Sequence, residues 1–182
     1  DVRTPLRRLL QTACAALLLL AAQAHALTAD EAKAMASGDA DERIAAMNKA
    51  VANADAKTEA FIQALADEAV KYTDTQVFVI KDDKGYDPVT GAELKVPDSA
   101  EDVVNNNYMR SAIDAAQAGL RLSSKDEAVR LEAADALFKE PDESRVPLID
   151  KALAAETSAA VKAKLQLVQA ASLLGSQDKA KR

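Results

Sequence analysis

The sequence predicts a mainly α-helical protein built from HEAT-like antiparallel helical repeats, an α-solenoid, with a small β-hairpin insertion. Three observations predict it. Alanine and leucine supply most of an apolar fraction of 49%, while aromatics make up only 3%, a composition that favours helix. Apolar residues recur at three- and four-residue spacing through most of the chain, punctuated by capping residues. One stretch departs from this pattern, the β-branched and aromatic segment between Thr73 and Pro97.

Residues 1–26 read as a secretory signal peptide. Arg3, Arg7 and Arg8 form a basic head, Ala13 to Ala22 an apolar run, and Gln23-Ala24-His25-Ala26 sets small residues at the −3 and −1 positions of a cut after Ala26. The apolar run is about half of the ~20 residues a spanning helix needs. Cys14 lies inside that run rather than at its end, which argues against lipidation. The opening Asp1 in place of methionine reads as a trimmed left boundary.

Residues 27–182 then read as one helical domain in three parts: N-terminal helices over 27–72, the hairpin over 73–97, and HEAT-like helices over 98–182. Thr28-Ala-Asp-Glu31 has the spacing of a capping box, and Ser37-Gly38 stops the helix it starts. Asp39 or Asp41 caps a second helix, whose Ile44, Met47 and Val51 mark a narrow buried face. After the turn at Asn53-Ala-Asp55, a third helix is expected to run to about Tyr72, with Phe61, Ile62, Leu65 and Ala69 inward.

Thr75 to Ile80 reads as a strand, Asp82-Asp-Lys-Gly85 and Thr90-Gly91 as turns, and Glu93 to Val96 as a returning strand. The aspartates here miss the third and fifth positions of a calcium loop. Ser99-Ala-Glu-Asp102 is expected to open the next helix, with Met109, Ile113, Ala116 and Leu120 as its stripe. Asn105-Asn106-Asn107 are poor helix formers and fit a cap or a contact with the hairpin; the alternative is that their amides bind a partner or a polar ligand.

Ser124-Lys-Asp-Glu127 has capping-box spacing before a helix whose Ala128, Leu131, Ala134 and Phe138 share a face. Pro141-Asp142 ends it. Pro147 fits the first turn of the next helix, with Ser144 or a neighbour as its cap and Val146, Ile149 and Leu153 inward. Thr157 or Ser158 opens a last helix, with Val161, Leu165 and Val168 on one side and Gly175 as stop. Ala128-Val-Arg130 recurs 32 residues on as Ala160-Val-Lys162, and Ser124 to Arg130 is echoed in Ser176 to Arg182. The second echo resembles the start of another capped helix, as in an array whose last repeat is left open and truncated.

The chemistry available to such a chain is narrow. Its only cysteine, Cys14, and only histidine, His25, both fall in the leader. The remainder is predicted to hold no disulfide framework, no zinc site and no cofactor, and to be no enzyme. Carboxylate pairs remain, but 28 acidic residues outside the leader produce such pairs by chance. Formal charge is −6 for the chain and −8 once the leader is removed, which argues against nucleic acid or anionic lipid as a partner.

The order of parts resembles the N-terminal extracytoplasmic region of the urea ABC transporter permease, within the branched-chain amino-acid permease family. Carrying the resemblance are Ala26-Leu-Thr-Ala-Asp-Glu-Ala32, Gly38-Asp39 through Arg43-Ile44, Gly85-Tyr86 with Thr90-Gly91, Val104-Asn105-Asn106 with Arg110, and Ser124 through Leu131. The resemblance implies a non-catalytic periplasmic domain, whose parent protein sits in the inner membrane through a portion absent here. It implies contacts with other subunits of the importer and with its periplasmic substrate-binding protein. Candidate contact residues are Phe78 and Tyr86 on the hairpin and Asn105, Asn106 and Arg110 beside it. The bland alternative is that Phe78 pins the hairpin and Arg110 pairs with a carboxylate. The alternative reading of the whole is a free-standing periplasmic HEAT-like scaffold or binding protein.

Overall fold

The computed structural model describes residues 26–175; the expected signal peptide over 1–26, except Ala26, and the second echo at 176–182 lie outside them. In chain order the elements are α1 (Ala29–Ala36), α2 (Ala40–Ala52), α3 (Ala56–Ala66), β1 (Val70–Tyr72), β2 (Val77–Lys81), β3 (Lys84–Tyr86), β4 (Glu93–Leu94), β5 (Glu101–Asp102), α4 (Asn107–Arg121), α5 (Glu127–Lys139), a 3₁₀ turn (Glu143–Arg145), α6 (Val146–Ala155) and α7 (Ala159–Leu174). The described part is thus mainly helical with a small antiparallel sheet.

The first three helices start where side chains can hold their free amides. Thr28 Oγ1 accepts from the Glu31 amide at 3.2 Å while Glu31 Oε2 accepts from the Thr28 amide at 2.9 Å, completing the capping box. Asp39 rather than Asp41 caps α2, accepting from the Glu42 amide at 2.9 Å, and Asp55 caps α3. The buried face of α2 is wider than its apolar stripe suggests, since Arg43, Asn48 and Ala50 are buried beside Ile44, Met47 and Val51.

Helix α3 stops at Ala66, six residues before the expected Tyr72. Glu68 takes the left-handed conformation (φ 54°), its amide bonds to Leu65 O and the Ala69 amide to Ala64 O. These two bonds are the Schellman pattern that closes helices. Glycine usually fills that position, so a glutamate there hides the stop from a sequence reader.

The chain then turns into strands. The expected hairpin over 73–97 is corrected to a five-stranded sheet from Val70 to Asp102, in the order β4-β3-β2-β1-β5. β1 is the segment assigned above to a helix, and β5 is the Glu101-Asp102 expected to start one; they pair as Lys71↔Asp102 and Tyr72↔Glu101. Asp82 and Asp83, both at positive φ (48° and 62°), make the tight link between β2 and β3 that hairpin twist favours. Val70, Val77 and Val79 join the helical core, whereas Phe78, alternating to the other face, lies outside it. On Phe78's face a Cβ placed on Gly85 would come within 2.3 Å of Val96 Cγ2 and 3.6 Å of Phe78 Cδ1, so the chain after β4 folds close over this side.

Helix α4 starts at Asn107 instead of near Ser99, because Asn106 Oδ1 accepts from the Met109 amide at 2.8 Å. It packs against α2, α3 and α5 through Met109, Ile113 and Ala116, with Leu120 half-buried at the end of the stripe. The next cap is Asp126, two residues beyond the expected Ser124, whose hydroxyl accepts from the Asp126 amide instead. Helix α5 turns a different face inward from the expected one: Ala133, Ala134 and Leu137 are buried while Ala128 and Phe138 are exposed.

Pro147 stands in the first turn of α6 after a 3₁₀ turn capped by Asp142. Leu148 and Ile149 are its buried residues, with Val146 and Leu153 half-buried. Ser158 caps α7, which buries Val161, Leu165 and Val168 and ends at Gly175. Helices α5 and α7 run in the same direction, since Ser158 meets Glu127 near their starts and Lys164 meets Asp135 further along. Their caps, Asp126 and Ser158, are 32 residues apart, so the Ala-Val-Arg and Ala-Val-Lys echo occupies the same positions in two packed helices.

Candidate functional site

A cleft of about 490 Å³ opens where the ends of α2, α4 and α6 meet the starts of α5 and α7. Val51, Leu120, Leu122, Leu148 and Ala152 give it apolar walls, and Glu59, Lys125, Arg130, Lys151 and Glu156 stand among them. Helix ends converge here because short turns at Ser123–Lys125 and Glu156–Ser158 return the chain to the same side of the stack.

Its most ordered polar feature is the Arg130–Glu156 pair. Arg130 Nε donates to Glu156 Oε2 at 2.8 Å and Nη2 to Oε1 at 3.0 Å, while Nη1 donates to the carbonyls of Ser124 and Lys125. The Glu156 carboxylate also accepts from the amides of Thr157 and Ser158, and its side chain is only 3% exposed. The hydrogen bond from Arg130 above all, then those amides, lowers its pKa to about 2 against the opposing effect of burial, and the same pairing raises that of Arg130. An ionised carboxylate with both oxygens engaged neither donates nor abstracts a proton at neutral pH.

Other polar groups of the cleft are also engaged. Lys151 Nζ donates to Ala52 O at 3.1 Å, and Ser123 Oγ to Leu120 O at 3.0 Å. The Arg130–Glu156 pair and the engaged Lys151 and Ser123 therefore serve the packing of the helix ends. No cluster of three or more His, Cys, Asp or Glu able to hold a metal ion occurs among the described residues.

A second polar assembly, buried and structural, joins α1, α2, α3 and the start of α4. Arg43 Nε donates to Met35 O at 3.0 Å, Nη1 to Val104 O at 3.1 Å and Nη2 to Asn105 Oδ1 at 3.1 Å. Asn105 Nδ2 continues to Leu65 O at 2.8 Å. Burial lowers the pKa of Arg43, and its cost is offset by three acceptors rather than by a carboxylate. Arg145 is handled in the same way, donating to Asn48 Oδ1 and Glu140 O; burial lowers its pKa too.

The five candidate contact residues do not form one site. Phe78 is 1% exposed and Asn105 5%, so neither offers a side chain to a partner. Tyr86 is half-buried opposite Val79, on the sheet face away from Phe78. Asn106 is the cap of α4. Arg110 is exposed and pairs with Glu68 at 2.8 Å.

The large apolar side chains that do face solvent lie elsewhere: Val104 and Tyr108 around the Asn106 cap, and Phe138, Leu167 and Leu174 on α5 and α7. Sequence reasoning missed all five. A signal for two of them was present, since Leu167 and Leu174 sit seven residues apart and off the Val161, Leu165, Val168 stripe. No family model, curated protein or solved structure matches the chain.

Proposed function

We propose that this chain is a non-catalytic contact domain of a urea or amide ABC importer, the exported N-terminal part of its permease. On this reading its helices form a HEAT-like array and hold the substrate-binding protein or another transporter subunit. The observation that carries the contact role is a division of labour on the surface. Arg130, Glu156 and Lys151 of the main cleft are spent on each other and on backbone, while Phe138, Leu167 and Leu174 remain exposed on α5 and α7. Exposed apolar residues grouped in this way mark contact surfaces. The importer itself is supported by the order of motifs quoted above. Two of these, Arg43-Ile44 and Val104-Asn105-Asn106, meet through the Arg43 hydrogen bonds.

Calorimetric titration of the chain with a periplasmic urea-binding protein of such an importer, with and without urea, tests the reading. A dissociation constant in the micromolar range is expected for a standard transient interface. Absence of binding in both conditions would overturn it, as would turnover of an amide substrate by the chain.

A further inference from the structure

The outer face of α7 stands at the positions by which α5 receives α7, with the basic group kept and an apolar row in place of Asp135. Shifted by the 32 residues that separate their caps, Arg130 corresponds to Lys162, Leu131 to Ala163, Asp135 to Leu167 and Phe138 to Ala170. On α5 these positions are in use. Arg130 grips Glu156, two residues before the α7 cap, and Asp135 and Phe138 both contact Lys164, whose Nζ is 2.6 Å from Asp135 and 5.3 Å from the Phe138 ring centre.

On α7 the corresponding positions face solvent. Lys162, Ala163, Leu167 and Ala170 are all exposed, Leu174 extends the row, and no partner is recorded for the Lys162 ammonium among the described residues. The apolar members recur at spacings of four, three and four, the narrow seam of helix-on-helix packing rather than the broad face of a helix lying on lipid. The helix has two lysines and no carboxylate, within an acidic chain. Gln166 stands where α5 has the fully buried Ala134, and an amide in the seam suits a reversible contact.

We infer that the outer face of α7 docks a helix of a partner protein, parallel to α7, whose N-cap is preceded two residues earlier by a carboxylate that pairs with Lys162. Charge complementarity and continuity with the α5–α7 contact identify this occupant: the incoming helix repeats Glu156-Thr-Ser158 followed by an apolar seam. The inference rests on the contact role proposed above and names its surface.

A fluorescent peptide of residues 156–174 carries that cap, carboxylate and seam and serves as the probe, titrated against the whole chain. Saturable binding in the micromolar to millimolar range is expected. Leu167→Asp, an exposed substitution that leaves the circular dichroism spectrum and Tm unchanged, should weaken it at least tenfold. Lys162→Glu should weaken it several-fold, and a peptide carrying Lys at the Glu156 position should recover binding to that variant. No saturable binding, or binding indifferent to both variants, overturns the inference. The same variants titrated with the urea-binding protein separate the two ideas: undiminished binding to Leu167→Asp keeps the contact role and removes this surface, whereas no binding even to the unaltered chain removes the role.

Discussion

At Glu156 a carboxylate lies between the Arg130 guanidinium and the first amides of α7, and its pKa falls from an ordinary 4.5 to about 2. A depressed folded-state pKa contributes stability that is whole above the ordinary value and disappears as pH drops through the lowered one. Thermal melts from pH 7 to pH 2 should therefore show Tm falling below about pH 4.5, with part of the slope due to this residue. Glu156→Gln should lower Tm at pH 7 by roughly 3–8 °C and flatten that acid limb; an unchanged limb would locate the acid sensitivity elsewhere. Asn105 presents a different case, because its amide satisfies Arg43 on one side and Leu65 O on the other. Asn105→Ala should cost about 2–4 kcal/mol in urea unfolding by stranding buried polar atoms. The double variant Arg43→Met/Asn105→Leu should cost less than the two single changes added together.

Among the elements, α4 meets two of its neighbours at a glycine. A Cβ on Gly119 would meet Leu148 Cδ2 at 2.8 Å and Val51 Cγ1 at 3.0 Å, so the glycine sets how closely α2 and α6 approach this helix. Gly119→Ala gains helix propensity but forces both neighbours aside, and a net loss of about 1–2 kcal/mol is expected from chemical denaturation. A gain would mean that Leu148 turns away freely. Helix starts were largely legible in the sequence because Thr28, Asp55 and Ser158 bond through local geometry that spacing reveals. Elements settled by distant partners were not. β1 and β5 are three and two residues long and exist because they pair with each other and β1 with β2, which no local pattern announces. The end of α3 was hidden by Glu68 in a glycine's place. Glu68→Gly relieves that backbone strain at the expense of an exposed ion pair with Arg110 and should raise Tm by a few degrees.

Across the whole molecule, sheet and helices draw on one apolar core. Val70 and Val77 belong to the same cluster as Ile113, Leu137 and Leu165. The helical character and most of this core were visible in three- and four-residue spacing, because burial repeats along a helix. What the spacing left undecided was which residues remain outside. Phe138 shares an expected face with Ala128, Leu131 and Ala134, yet α5 packs through Ala133, Ala134 and Leu137 and leaves it 42% exposed. The same effect explains the candidate contact residues: Phe78 and Asn105 were chosen by chemical character, and only the sheet's second face and the Arg43 network show that both are enclosed.

Leu27 is 2% exposed and is followed at once by the Thr28 cap. If, as proposed, residues 1–26 are an exported leader, the protease that cuts after Ala26 must lay the residues on both sides of the bond along its groove, and a seated Leu27 denies it one of them. On that proposed reading, the burial of this side chain orders the events: cutting first, closure of the N-terminus afterwards. Precursor allowed to fold before meeting signal peptidase should be processed much more slowly than nascent precursor, and Leu27→Asn should restore the faster rate. Equal rates for all three would show that this end opens faster than the enzyme works.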